Sequence, residues 1–463
     1  MLDEEALPPN RGLFMTPALR RLTAMAALGA AATIAIAAAR PPQAKITDTT
    51  LPNGLRVLIS EDHAAPVFSI AVNYNVGSRN ERKGRTGFAH LFEHMMFKGS
   101  ENVGQGEHPY LMFMNGGSMN GTTNKDRTVY YEILPSNQID LALFLEADRM
   151  RSLAITKENL ENQINAVQEE RRLGVDNVPY GKVSELLPEL AYENFAYEHS
   201  VIGSMADLSA ATVQDVSEFF HMYYAPNNAI VAIVGDVNAA TTLEKVKKYF
   251  TAIPRQPAPP AVDMAEPPQT EERRQNLDDA LARLPRLDMA YHVPAASSPD
   301  YDALSVLSTI LSSGRSSRLY ENIVRQQQLA SSASAFAGES RGPGLFTVTA
   351  TPTPGKSIAD LEAAIDAEFE KVKNGPIADW ELEKARVAAR RNYVSSLGSS
   401  LQRAIVMSQN AMFYDDPDLL SKRQARIEKV TAADVQRVAK LYLVKTNRSV
   451  VVTTPKTAGR GGN

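Results

Sequence analysis

Apolar residues along this chain fall into a helical rhythm and a strand rhythm, and each rhythm occurs twice in the same order. Over residues 86–98 the run TGFAHLFEHMMFK sets Phe88, Leu91, Phe92, Met95 and Met96 at helical spacing, with Ala89 and Phe97 beside them. That spacing predicts a largely buried helix. Strand-like runs lie on either side at 67–76 and 127–134, and a long helical pair covers 139–173. Later in the chain come a strand at 287–292, a helix at 301–311, a strand at 344–350 and a helical pair at 358–397. Both blocks end alike, FFHMYYAPNNAIVAIV at 219–234 and AKLYLVKTNRSVVV at 439–452, so that Tyr223 matches Tyr442 and Asn228 matches Asn447.

The repetition predicts an α+β fold, a duplicated two-domain unit in which each domain is a mainly antiparallel sheet with helices packed on one face. Between the copies, PRQPAPPAVDMAEPPQTEERRQ at 254–275 is rich in proline and charge and carries neither period, so it reads as an extended linker. The expected organisation is an N-terminal segment at 1–44, a first domain at 45–253, a linker at 254–283, a second domain at 284–455 and a tail at 456–463.

With 463 residues, 44% hydrophobic and 22% charged, the chain can build more than one core, and a net charge of -4 supplies no basic field for nucleic acid. There is no cysteine, which excludes disulfides, thiol nucleophiles and thiolate metal sites and leaves any metal to His, Asp or Glu. Near the start, Arg11, Arg20 and Arg21 precede an uncharged alanine-rich run at 22–39 that ends in Ala37, Ala38 and Ala39. This reads as an export signal, giving a periplasmic or otherwise exported protein whose mature body begins near 41–45. Met15 competes with Met1 as the start, because Asp3, Glu4 and Glu5 fit a signal poorly. The competing readings of the segment are an uncleaved anchor and a disordered tail, the latter with a cytoplasmic protein.

Three polar residues interrupt the apolar helix at 86–98. His90 and His94 stand one turn apart on one face, close enough for both imidazoles to reach one ion, and Glu93 lies beside them. Such groups in an apolar helix are costly without a partner, and zinc, one ion per chain, is the simplest one. A catalytic zinc site needs a third protein ligand, and the helix at 158–173, ENLENQINAVQEERRL, offers Glu169 and Glu170. Glu93 then suits the general base that takes a proton from the attacking water. The order H-x-x-E-H is the inverted zinc-peptidase motif. The remaining histidines, His63, His108, His199, His221 and His292, lack a second histidine at ligand spacing and read as surface or packing residues.

Beyond the motif, the stretches GFAHLFEHMMFKGS at 87–100, GGSMNGTTNKDRTVYY at 116–131 and LEADRM at 145–150 make the chain resemble the pitrilysin and insulysin metallopeptidases. The likeness is greatest to short bacterial members similar to the mitochondrial processing peptidase beta subunit. The resemblance implies that the second glutamate of Val167-Gln168-Glu169-Glu170 is the third ligand, selecting Glu170 over Glu169. It puts Gln163 where relatives carry a glutamate that aids catalysis. It also makes 116–123 an exposed edge strand that pairs with an extended peptide, with Gly117, Asn120 and Thr123 as substrate-binding residues.

In active single-chain relatives the second half gives an arginine and a tyrosine to the substrate, and here Val324 and Ser331 occupy those positions. Against the metal helix, the second half aligns Ser305, Ser308 and Thr309 and offers no ligand set. The resemblance therefore implies a zinc-dependent endopeptidase acting on unfolded peptides or flexible segments. A homologous subunit would supply the missing arginine and tyrosine, in a heterodimer rather than a homodimer. The alternatives are a specific precursor-processing peptidase and a non-catalytic scaffold subunit.

Overall fold

The computed structural model describes residues 45–456, so the export-signal reading and, apart from Lys456, the reading of 456–463 as a tail lie outside the described residues. Among the described residues eleven strands form two sheets. The first contains β1 (Thr47–Thr50), β2 (Arg56–Glu61), β3 (Val67–Tyr74), β4 (Ser118–Thr123), β5 (Thr128–Pro135) and β6 (Ala229–Gly235), in the order β1-β2-β6-β3-β5-β4. The second contains β7 (Arg273–Asp279), β8 (Arg286–Val293), β9 (Ala330–Ala337), β10 (Gly344–Pro352) and β11 (Arg448–Pro455), in the order β7-β11-β8-β10-β9.

Removing β1 makes the two orders identical, with β2 matching β7, β6 matching β11 and β3 matching β8. Pairing repeats as well. β2 runs parallel to β6 and β7 parallel to β11, while the other pairs are antiparallel. The matched asparagines do the same work: Asn228 Nδ2 donates to Tyr223 O at 2.8 Å and Asn447 Nδ2 to Tyr442 O at 2.9 Å. The fold is the expected duplicated α+β unit.

The expected linker at 254–283 needs correction, because its later part is β7, the counterpart of β2. Its sequence, RRQNLDD, is mostly exposed at the edge of the second sheet, whereas β2 is covered by β1 and reads RVLISE. Backbone pairing to β11 from Ser449↔Arg273 to Pro455↔Asp279 holds β7, so the strand has no apolar alternation to announce it.

Each sheet packs helices on one face, and its other face is covered by a helix from the opposite half. In β6 every residue is buried: Val231 and Ile233 face the first core with Phe92 and Phe219, while Ile230, Ala232 and Val234 face Ala404, Met407 and Ala411. The latter three belong to helix Ser400–Tyr414 of the second half, which also bonds through Ser400 to Ser69 at 2.9 Å and through Arg403 to Asp62 at 2.7 Å. In return, helix Val183–Ala191 of the first half lays Val183 and Leu187 on Ala290 and Val451 of the second sheet. Among the described residues no helix is long and apolar enough to cross a membrane.

Candidate metal centre

Helix Phe88–Met95 is fixed at its start by a buried carboxylate. Glu81 Oε2 accepts from Gly87 N at 2.9 Å and Glu81 Oε1 from Ala89 N at 2.7 Å, which satisfies first-turn donors and places negative charge at the positive end of the helix. His199 Nε2 lies 2.9 Å from Glu81 Oε2, so a histidine read as a packing residue supports the metal helix. Gly87 adopts φ 85°, and a Cβ there would sit 2.7 Å from Ile202 O, so glycine is required at this entry. Phe88, Leu91, Phe92 and Met95 are buried in the first core.

The third candidate ligand comes from helix Lys157–Arg171, capped by Thr156 Oγ1 accepting from Asn159 N at 3.1 Å. Asn159 Nδ2 in turn donates to Lys98 O at 3.2 Å, tying this helix to the end of the metal helix. Leu160, Gln163 and Val167 are buried along a face that continues to Glu170. Glu170 Oε2 lies 3.6 Å from His90 Nε2 and 3.3 Å from His94 Nε2. Glu169, one residue earlier, turns to Arg172 at 3.0 Å.

These distances allow a test of fit. A tetrahedral zinc with bonds of about 2.1 Å has ligand-to-ligand edges of about 3.4 Å, between the two observed values. The imidazoles have the required protonation as well. Burial, helped by His94, holds His90 down to about 4, and burial also lowers His94, so both rings are neutral near pH 7 and have a lone pair to offer. His90 Nδ1 is buried without a hydrogen-bond partner, so a proton carried there leaves Nε2 free to ligate. The residues present fit zinc.

Glu93 stands beside this set and is fixed from β4. Thr123 Oγ1 donates to Glu93 Oε2 at 2.6 Å, and a Cβ on Gly121 would lie 2.9 Å from Glu93 Cγ, so the carboxylate rests directly on the backbone of the edge strand. Burial raises the Glu93 carboxyl, and the Thr123 bond pulls it back. The expected substrate residues thus take different places. Thr123 bonds Glu93. Gly117 precedes the strand and meets Met112 Cε and Ile133 O, where a Cβ would stand at 3.0 and 2.9 Å. Asn120 is exposed on the edge strand, with Oδ1 accepting from Gly121 N at 2.9 Å.

In the second half Val324 packs on the core, Arg325 bonds Glu321 at 2.6 Å and Ser331 Oγ donates to Thr351 O at 3.2 Å. A buried polar group escaped the sequence reading. His108 Nε2 lies 2.7 Å from Glu132 Oε1, Glu146 binds Arg149 through two bonds, and the Arg149 guanidinium stacks 4.5 Å from the Tyr130 ring. His108, Glu132 and Glu146 present ligand-type atoms within 4.8 Å of one another, but Arg149 already neutralises Glu146. The i, i+3 spacing of Glu146 and Arg149 was the available signal.

Fold and side chains define a class: a duplicated α+β chain in which only the first half presents an inverted H-x-x-E-H helix facing a distant glutamate. Residues 56–204 match the family described as Insulinase (Peptidase family M16), and 210–388 match the Peptidase M16 inactive domain. The chain belongs to peptidase family M16, the pitrilysin and insulysin family. It is 32% identical to the zinc protease PqqE of Helicobacter pylori, covering 89% of this chain and 93% of that one. It is 25% identical to a probable mitochondrial-processing peptidase subunit beta of Arabidopsis thaliana, covering 87% and 76%. A crystal structure of a protease from Helicobacter pylori superposes with a TM-score of 0.85 at 32% identity, covering 89% of this chain and all of that one, 100%.

Proposed function

We propose that the chain is a zinc-dependent endopeptidase that hydrolyses unfolded peptides or flexible segments. The observation that carries this reading is the convergence of His90, His94 and Glu170 at 3.3 to 3.6 Å with Glu93 alongside. A zinc ion held by those three residues supplies Lewis acidity toward a peptide carbonyl and a water molecule. Glu93 accepts the proton of the attacking water and delivers it to the departing amine. Thr123 keeps the carboxylate oriented, and the open side of β4 binds the substrate backbone as an added strand.

Val324 and Ser331 can supply neither a guanidinium nor a phenol, which supports a split enzyme. On this reading, a homologous subunit brings the arginine and tyrosine that steady the oxyanion. The match of 210–388 to an inactive domain agrees with a first half that holds the chemistry. The arginine-flanked alanine run at 22–39 supports work outside the cytoplasm.

The test is cleavage of a quenched, unstructured peptide by the chain alone and with a co-encoded homologue, comparing wild type with Glu93→Gln at equal zinc content. Activity that needs the homologue and is lost in Glu93→Gln is the expected result. Activity from the chain alone refutes the split site. Inactivity in both arrangements favours a scaffold subunit.

A further inference from the structure

The turn that joins β4 to β5 fixes which backbone groups of the edge strand are open. Asn124 N donates to Arg127 O at 3.0 Å, so residues 124 and 127 form a hydrogen-bonded pair. Hydrogen-bonded and non-hydrogen-bonded pairs alternate along an antiparallel ladder. With the register Thr123↔Thr128 and Thr122↔Val129, Thr122 therefore directs its backbone groups to β5, and Gly121 and Thr123 turn theirs to the open side. Gly121 N agrees, since it takes its partner from the neighbouring side chain, Asn120 Oδ1 at 2.9 Å. No strand among the described residues pairs with this side of β4.

Side chains alternate with the same period. Thr123 bonds Glu93, whereas Thr122 shares the opposite face with Val129, the face covered by helix Ser400–Tyr414. There Arg127 lies across Thr122. Its Nη1 donates to Thr122 O at 2.8 Å and to Thr122 Oγ1 at 2.6 Å, and its Nε donates to Gln409 Oε1 of the covering helix at 3.3 Å. These acceptors are all neutral, and Nη2 has no hydrogen-bond partner among the described residues. Glu93 and Asp126 act on the guanidinium only through space. Asp126 is engaged elsewhere, accepting from Tyr197 OH at 2.6 Å and from Arg341 N at 3.0 Å. By contrast, Arg171, Arg318, Arg403 and Arg448 each bond a carboxylate. Arg127 is a half-buried cation, held in place by three bonds, that lacks its anion.

A peptide that adds antiparallel to β4 pairs its backbone with Gly121 and Thr123, which makes its residue opposite Thr122 a non-hydrogen-bonded partner. Such partners stand about 4.5 Å apart at Cα and carry their side chains on the same face. That side chain arrives beside Thr122 and the guanidinium bonded to it. Its two neighbours in the peptide turn to the face that holds Glu93. Because Glu93 rests on Gly121, the bond cut lies within about two residues of this position.

We propose that Arg127 is a specificity-determining residue that selects peptides carrying an aspartate or glutamate opposite Thr122, within about two residues of the bond cut. The proposal rests on the peptidase reading above and adds to it a charge preference in the substrate. The occupant is a carboxylate because the free Nη2 donates two hydrogen bonds and the guanidinium has no bonded counter-charge.

The experiment uses zinc-loaded full chain with its homologue and quenched peptides that differ only by Glu or Gln at each of several positions on both sides of the cut, with the cut located by mass spectrometry. Wild type is expected to favour Glu in kcat/KM by about fivefold to tenfold at one position. Arg127→Gln is expected to bring that ratio close to one, and Arg127→Glu to favour Lys over Gln at the same position. Loss of folded enzyme lowers all rates alike and leaves the ratios unchanged, so the ratios isolate the contact. A wild type with no such preference, or with an equal preference at every position, overturns the proposal. So does an Arg127→Gln variant that retains the preference. If wild type cuts none of the peptides, the peptidase reading itself has failed, a result distinct from loss of selectivity in an active enzyme.

Discussion

Replacing Thr123 with valine tests how Glu93 is held. Valine keeps the shape of threonine but removes the donor that sits 2.6 Å from Glu93 Oε2. Burial pushes the Glu93 carboxyl upward, and the Thr123 bond is the leading opposing interaction. A hydrogen bond to a charged group contributes about 1.5–3 kcal/mol, so its loss disfavours the ionised carboxylate by about tenfold or more, and Thr123→Val raises the Glu93 pKa further. Glu93 must be unprotonated to accept a proton. A raised pKa therefore moves the acid limb of kcat/KM to higher pH, with the largest loss at low pH and recovery above the new midpoint. Below the wild-type midpoint the loss is about tenfold or more, and on the alkaline plateau it shrinks to about threefold or less. The assay is a pH profile of quenched-peptide cleavage at matched zinc content. An acid limb that stays in place, or a loss equal at every pH, refutes this account of Thr123.

Glu170→Gln is expected to lower the zinc retained after dialysis from one ion per chain to well below half, while Glu169→Gln retains it; metal analysis of both variants decides between the two glutamates. Burial pushes Glu132 from 4.5 up to about 7, so the unfolded chain releases that proton first and stability falls as pH rises through this window. Glu132→Gln removes the loss and is expected to flatten the dependence by about 3 kcal/mol at pH 8. Urea titrations at pH 5 and pH 8 read this effect, and an unchanged slope refutes it. His108, held down to about 3 by burial, acts in the opposite sense and bonds Glu132 directly, so the same titrations on His108→Gln separate the two contributions. Met407→Ala hollows the contact between the two halves and should cost about 2–4 kcal/mol in the same titration.

What could be read from the sequence was local or repeated. His90 and His94 declare themselves because one helical turn joins them, and β6 because burial on both faces makes it a continuous apolar run. Glu170 needed the family pattern, since the sequence alone leaves Glu169 equally placed; in the structure Glu170 faces both histidines and Glu169 faces Arg172. Thr123 was assigned to substrate because nothing in its neighbourhood names Glu93 as its partner. β7 was hidden by its polarity, and His108 by partners that are distant in sequence and adjacent only across the sheet. Helix Ser400–Tyr414 shows an apolar face, but a pattern of side chains cannot say which sheet that face will cover.

The exchange of helices between the halves also orders events during synthesis. A ribosome completes the first sheet and every candidate zinc ligand when β6 emerges, yet the back of that sheet waits for Ala404, Met407 and Ala411 of the second half. Until then the nascent protein displays Leu58, Ala71, Val129, Ile230, Ala232 and Val234 as a bare apolar plane, the kind of surface on which incomplete chains aggregate or recruit chaperones. Completion of the first domain therefore waits for the second half, however early its own residues are made. A stop codon shortly after the linker would release a domain with its chemistry assembled and one side of its sheet unfinished.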